Sequence, residues 1–343
     1  MGGNVTNIKD LADRIGLSVT TVSRVLNGKS EAYRISKDTR EKVLDAAREF
    51  HYSPNRIARG LKLEKTETIG LIIPDISNPF FASIAKTIEL ESRRFGYSLI
   101  LCDSLDDIST ENELINLLSE RKVDGIILAP VGLNGNHIQG LLQKNTPVVV
   151  IDRYFPGTAI PYITTDNYQG AFMATEYFIS CSHHRIACIQ GLKGITSSTE
   201  RVNGYRDALK KHKLTVDESL ICGNDFGEEN GYLQTLLLLN RNDPPTAIFA
   251  LGNLISLGML RAIYEKGFRI PENVSVITFD EQPYSVFLRS PMTTIEQPRE
   301  KIAKMAVNVL FEAIHSGNRV DDQIRLKLKP RLNIRDSVKN MNQ

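Results

Sequence analysis

From Ile69 onward the chain repeats one pattern. A short run of apolar, often β-branched residues is followed by a longer stretch with apolar positions at helical spacing. The pattern predicts strands at 69–73, 98–102, 125–129, 148–151, 185–190, 247–250 and 274–279, with helices between them, among them 80–95 and 110–120. Short strands alternating with helices leave few options: a parallel sheet covered on both faces, wound in both directions from its middle. The alternation is long enough for two such units, one before and one after about residue 165. At about 150 residues per domain, 343 residues accommodate both plus a small extra domain.

The first 63 residues break this pattern and read as short helices. Ile8, Leu11, Ala12 and Ile15 share a helical face, Gly16 ends it, and Ser18 can cap a second helix carrying Val22, Val25 and Leu26. Ser36 precedes a third, with Val43, Leu44, Ala47 and Phe50 at helical spacing. Two helices crossing steeply around a tight turn need a small residue on the first, a residue free to take positive φ in the turn, and a buried anchor on the second. Ala12, Gly16 and Val22 meet those demands. Val19, Thr20, Thr21, Ser23 and Arg24 then face outward, with Asn27 at the end. Hydroxyls, amides and a guanidinium suit phosphates and base edges, although a solvated helix could look the same. Charge points the same way. Residues 1–63 hold 12 Lys and Arg against 7 Asp and Glu, an excess of five positive; the remainder holds 30 against 33, three negative. A basic head on a mildly acidic body implies that the head alone meets a polyanion.

Several classes are excluded or left without support. No run approaches the ~18 apolar residues of a membrane span, and no apolar leader opens the chain, so a cytoplasmic protein without a membrane partner is expected. The cysteines, Cys102, Cys181, Cys188 and Cys222, form no CxxC pair. The stretch from Cys181 through His183 and His184 to Cys188 reads as a buried strand preceded by a polar turn, so no metal site is expected. His137, His212 and His315 lie in polar helical stretches and read as surface residues. There is no GxGxxG after a strand, no phosphate-cradling GxxxxGK[ST] and no GxSxG elbow, which argues against an enzyme and implies no cofactor.

The head sequence IKDLADRIGLSVTTVSRVLNG, followed by ISKDTREKV and YSPNRIARGL, resembles the DNA-binding head and hinge of the lactose-repressor/galactose-repressor (LacI/GalR) family of transcriptional regulators. The body agrees in order through TIGLIIPDISNPFF, VDGIILAP, PVVVIDR, TTDNYQGA, ERVNGYRDAL, PPTAIFA, IPENVSVITFD and MTTIEQP, over about residues 5 to 335. The resemblance implies an α/β fold: a small all-α helix-turn-helix head plus two doubly wound parallel-sheet subdomains of the periplasmic-binding-protein type. The expected division is 1–53 for the head, 54–65 for a hinge helix and linker, and 66–343 for a ligand-binding and dimerisation domain. Within the last, one subdomain takes about 66–164 and 293–325, the other about 165–292 and 326–338.

It also implies roles. Val19, Thr20 and Arg24 would meet base edges. Ser18, Thr21, Ser23, Asn27, Thr39, Tyr52 and Asn55 would hold phosphates or support that contact. Residues 55–62 would form a hinge helix on DNA, with Leu61 wedged into the minor groove. The partners would be double-stranded, pseudo-palindromic operator DNA, a second copy of the chain and a small-molecule effector, most simply a carbohydrate. The tail 336–343 has no leucine heptad, which implies a dimer and not a tetramer. A sugar-binding protein without DNA function is the alternative, and it leaves the basic head unexplained. One departure lies in the head: Lys29–Ile35 is about three residues longer than the usual family loop and brings in Tyr33 and Arg34.

Ligands of doubly wound sheets bind beyond the carboxyl ends of the strands. Asp75, Asp152 and Asp280 each follow a predicted strand there and can accept hydroxyl hydrogen bonds, or else cap a helix or pair with arginine. Phe80 and Phe81 can stack on a ligand or pack in the core. By resemblance Arg201 is the ligand-binding arginine; Phe226, which follows Asp225, is a further candidate to line the cleft. An aspartate common in the family is Asn253 here, after Gly252, and a glutamate that reads purines in purine-responsive members would fall at Gly227. The first departure changes the preferred ligand or means that the position has lost its role; the second favours a sugar or sugar acid over a nucleobase.

Overall fold

The computed structural model describes residues 7–52, 65–143 and 146–342. Asn55 and Leu61, and with them the expected hinge helix, lie outside the described residues. The chain divides into two compact units that meet at Thr66 and Glu67.

Among the described residues the first unit holds three helices: α1 (Ile8–Ile15), α2 (Val19–Leu26) and α3 (Lys37–Glu49). Each starts on a side-chain cap. Asn7 accepts from the Asp10 amide, Ser18 from Thr21 and Ser36 from Thr39, which satisfies donors that the first turn leaves unpaired. Gly16 takes φ 64° between α1 and α2, the left-handed geometry that favours glycine. Leu11, Ala12, Val22, Val25, Val43 and Ala46 form the core, so the small residue on α1 and the branched anchor on α2 are both fully enclosed.

The second unit has two lobes. In the first, β1 (Thr68–Ile73), α4 (Pro79–Arg94), β2 (Ser98–Asp103), α5 (Ile108–Glu120), β3 (Gly125–Leu128), α6 (Asn136–Gln143), β4 (Val148–Ile151) and β5 (Tyr162–Thr165) follow in order. The second lobe continues with α7 (Asn167–Ser180), β6 (Ile186–Ile189), α8 (Thr196–Lys211), β7 (Ile221–Cys222), α9 (Glu228–Leu239), β8 (Ala247–Ala250), α10 (Asn253–Glu265), β9 (Ser275–Phe279) and β10 (Thr293–Glu296). The chain then returns as α11 (Arg299–Ser316) and β11 (Arg325–Leu328) and ends in β12 (Arg331–Asn333). The sheets run β11-β5-β4-β3-β1-β2 and β12-β10-β9-β8-β6-β7, parallel throughout except for β12.

Period-two alternation builds the cores. Ile69, Leu71 and Ile73 of β1 point to α4 and α11, whereas Ile72 points to α5 and α6. In the second lobe Cys188 and Phe249 pack towards α7 and α8, and Ile189 and Ile248 towards α9 and α10.

The chain crosses between lobes at three places, after β5, after β10 and after β11. This corrects the expected subdomain boundaries. Segment 293–296 belongs to the second lobe, because β10 pairs with β9 and buries Ile295 there. Segment 325–328 belongs wholly to the first, because β11 pairs with β5 and packs Leu326 and Leu328 against that core. Among the described residues no helix is long and apolar enough to cross a membrane.

Candidate functional site

In the head, α2 presents a polar face. Val19 is 41% exposed, Thr20 and Asn27 are exposed, and Thr21, Ser23 and Arg24 are half-buried. Several of these groups are tied down. The Ser18 hydroxyl holds the Thr21 amide at 3.1 Å and the Thr21 hydroxyl at 2.9 Å. Asn27 donates to the Ser23 carbonyl at 2.7 Å, and Ser36 and Thr39 repeat the Ser18 and Thr21 pairing at the start of α3. Tyr52 leans on the head core, and burial pushes its phenol above the ordinary value. Arg24 is different. Its guanidinium carbon sits 3.8 Å from the centre of the Tyr33 ring.

In the body, a cavity of about 50 Å³ lies between the lobes at the carboxyl ends of the strands. Its walls include Phe80, Phe81, Asp152, Arg201, Phe226, Asn253 and Asp280, all expected there from sequence, and also Asn78, Arg153, Ser197 and Gln297, which were not. The parallel sheets explain the gathering: each of these side chains sits just past a strand or in the first two turns of the next helix.

Asp152 and Asp280 both have positive φ, 62° and 79°, at the ends of β4 and β9. Aspartate tolerates that region better than most residues, but the conformation is strained and persists where the surroundings enforce it. Burial pushes the Asp152 carboxyl above the ordinary value, opposed by the positive charges of Arg153 and Arg201 and reinforced by Asp280. Arg201 is buried, and desolvation lowers its pKa, opposed by Asp280 and Asp152. It donates to Asn167 Oδ1 at 2.8 Å and to the Leu251 carbonyl at 2.7 Å, and it lies 3.7 Å over the Phe279 ring. That fixes its fork without removing it from the cavity wall.

Two helices offer further donors. The N-termini of α8 and α10 have no side-chain cap, whereas α4 is capped by Asn78. Unpaired amides of a first turn favour ligand oxygens. Gly191 makes room for Phe226: a Cβ there would lie 2.2 Å from the ring.

The lobes are joined across the cleft. Asn253 Nδ2 donates to Asn78 Oδ1 at 2.8 Å, so the amide that replaces the family's aspartate bridges the lobes. Gln297 links the Thr165 hydroxyl to the Asp280 carboxylate. Glu200 on α8 accepts from the Tyr154 hydroxyl at 2.6 Å and from Lys327 on β11.

Asp75 is not brought into the cavity. Its carboxylate accepts from the Ser77 amide at 2.7 Å and hydroxyl at 2.6 Å, closing a turn on itself, and Asn78 three residues on reaches the cleft instead. His137 is not a surface residue: its side chain is 9% exposed and its ring bonds the fully buried Glu111 carboxylate. His183 is held between the Thr246 hydroxyl and the Lys339 carbonyl. Among the described residues no group of three or more metal-ligating side chains comes together. Asn78 lies between the predicted strand 69–73 and the predicted helix 80–95, within reach of the strand-end rule, whereas Gln297 follows β10, a strand the sequence pattern did not predict. Arg153 follows the same strand end as Asp152, and the same rule reaches it.

A helix-turn-helix head and a two-lobed body with a polar cleft define a ligand-responsive DNA-binding regulator. Residues 7–55 match the bacterial regulatory proteins of the lacI family, and residues 66–335 match the family described as periplasmic binding proteins and sugar binding domain of LacI family. The HTH-type transcriptional repressor PurR of Haemophilus influenzae (strain PittEE) is 34% identical over 98% of this chain and 100% of its own length. The transcriptional regulator CelR in complex with cellobiose superposes with a TM-score of 0.72 at 29% identity, covering 96% of this chain and 99% of that one. The lac repressor dimer bound to operator and the anti-inducer ONPF shares the fold, with a TM-score of 0.85 at 24% identity over 97% and 99% of the two chains. The chain belongs to the LacI family: it is a DNA-binding transcriptional repressor under small-molecule control.

Proposed function

We propose that this repressor works as a homodimer on a pseudo-palindromic operator and is controlled by a neutral sugar or sugar derivative held between its lobes. In this reading Val19, Thr20 and Arg24 meet base edges, Ser18, Thr21, Ser23, Asn27, Thr39, Tyr52 and Asn55 serve the phosphates, and Leu61 wedges the minor groove. A two-fold protein matches a two-fold site.

The composition of the cleft carries the choice of ligand. Two carboxylates, Asp152 and Asp280, stand with two guanidiniums, Arg153 and Arg201. The charges balance, which favours a neutral polyol over an anion or cation. Asn78, Asn253, Ser197 and Gln297 add hydroxyl partners, and Phe80, Phe81 and Phe226 add apolar faces for a pyranose. The family description as a sugar binding domain and the cellobiose complex of CelR support the same class. About 50 Å³ accommodates roughly three to five water molecules. A sugar therefore enters by parting the lobes, and its closure of them is the signal. Coupling is reciprocal: a sugar that weakens operator binding is itself weakened by operator.

Calorimetric titration with monosaccharides, disaccharides, sugar acids and purine bases tests the ligand class. A sugar that binds and shifts operator affinity is expected. Binding by a purine base alone would overturn it, and sugar binding without any operator binding would favour the DNA-independent alternative.

A further inference from the structure

Arg24 is the one long cationic side chain on the outward face of α2. Among the described residues no hydrogen bond or ion pair holds its guanidinium. Its contact is the Tyr33 ring at 3.8 Å. The guanidinium carbon lies over the ring face, and the N–H fork is not taken up by another described group. A guanine edge takes that same fork through O6 and N7.

The ring is presented by an ordered turn. The Lys29 amide donates to Arg24's own carbonyl at 2.9 Å, the Tyr33 amide to the Lys29 carbonyl at 3.3 Å, and the Ile35 amide to the Ser30 carbonyl at 2.8 Å. The loop is thus anchored at one end on the residue whose side chain it covers. Tyr33 is 49% exposed and adds little to the core, so packing does not account for an aromatic here. This loop is also the part of the head that is longer than the family's usual form.

We propose that Tyr33 is a positioning residue that sets operator specificity: it stacks on Arg24 and holds the fork ready for one base pair. A flexible arginine loses rotamer freedom when it docks, and ordering it beforehand reduces that cost. The proposal rests on the reading of α2 as the DNA-reading helix.

The test measures affinities of wild type, Tyr33→Phe, Tyr33→Leu and Arg24→Ala for the selected operator, for its single-base-pair variants and for random DNA. Phenylalanine keeps the ring and is expected to stay within about twofold of wild type. Leucine is expected to lose about two- to fivefold per half-site, the range of an exposed cation–π contact. The loss should fall on discrimination at the pair that Arg24→Ala also affects, with random-DNA affinity unchanged. In the Arg24→Ala background, Tyr33→Leu should add nothing.

Three results overturn the proposal: full discrimination in Tyr33→Leu, an equal loss on all DNAs, or a loss in Tyr33→Phe as large as in Tyr33→Leu, which would make the hydroxyl a DNA contact. If Arg24→Ala leaves operator binding unchanged, the reading of α2 falls as well. An effect of Arg24→Ala without one of Tyr33→Leu removes only the role of Tyr33. A thermal melt of each variant shows whether the head stays folded.

Discussion

Replacing Glu200 with glutamine should open the cleft. Glu200 belongs to the second lobe, and both its partners, the Tyr154 hydroxyl and the Lys327 ammonium, belong to the first. Burial alone would lower the Lys327 pKa, but hydrogen bonds to Glu200 and Tyr154 raise it above the ordinary value. Hydrogen bonds to charged groups contribute about 1.5–3 kcal/mol. The Glu200 side chain is 17% exposed and that of Lys327 36%, so solvent screens the ion pair. Glutamine also keeps an oxygen for Tyr154, and the Thr196 hydroxyl still bonds the Tyr154 backbone. The net loss should be about 1–2 kcal/mol, so the ratio of closed to open forms should fall roughly five- to thirtyfold. Spin labels on cysteines introduced at exposed Asn134 and Lys193 read the distance across the cleft. The native cysteines interfere little: three are buried, and burial pushes the Cys222 thiol up to about 11. The ratio of longer- to shorter-distance populations should rise by that factor, and sugar affinity should fall with it. An unchanged distance distribution with unchanged affinity would refute the reasoning.

Further expectations concern the walls of the cleft. Because burial raises the Asp152 pKa, the folded chain binds more protons than the unfolded one from the ordinary value of 3.8 upward. Stability from this group is therefore lost as pH rises through that window. Asp152→Asn should flatten the slope in urea titrations, and an identical slope in both proteins would contradict this. Asp75→Ala should leave sugar affinity within twofold while Asp280→Ala lowers it at least tenfold in the same calorimetric assay; equal effects would return Asp75 to the cleft. In Gly191→Ala the new methyl meets the Phe226 ring, costing about 1–3 kcal/mol of stability or displacing the ring. A thermal melt and a sugar titration that both match wild type would contradict that placement.

Much of this was legible in the chain because it follows short-range rules. Ala12, Gly16 and Val22 meet a steric demand set by two crossing helices, and their burial and dihedrals follow from it. Asp152, Asp280 and Arg201 sit beside strand ends and in a helix's first two turns, where a parallel sheet must deliver them. Asp75 satisfied the same rule and failed, because Ser77 two residues on supplied a local partner for its carboxylate. A strand end says where a residue is, not which bond it makes first. The lobe boundary at β10 was misjudged for a related reason: sheet membership depends on a pairing partner, and residue 293 carries no local mark of pairing with Ile277. The burial of His137 needed Glu111, 26 residues earlier, which no local pattern connects to it. The stacking of Tyr33 on Arg24 lies between these cases, since the longer loop was visible but its direction was not.

The central claim is that one chain couples a sugar to an operator. Selection of binding sites from a randomised duplex pool by the full-length protein, run with and without a pool of sugars, tests it most directly. The account predicts enrichment of a palindrome under one condition and a marked loss of that enrichment under the other. Enrichment that is indifferent to sugars would contradict control through the cleft, and no enrichment under either condition would contradict a DNA-reading head.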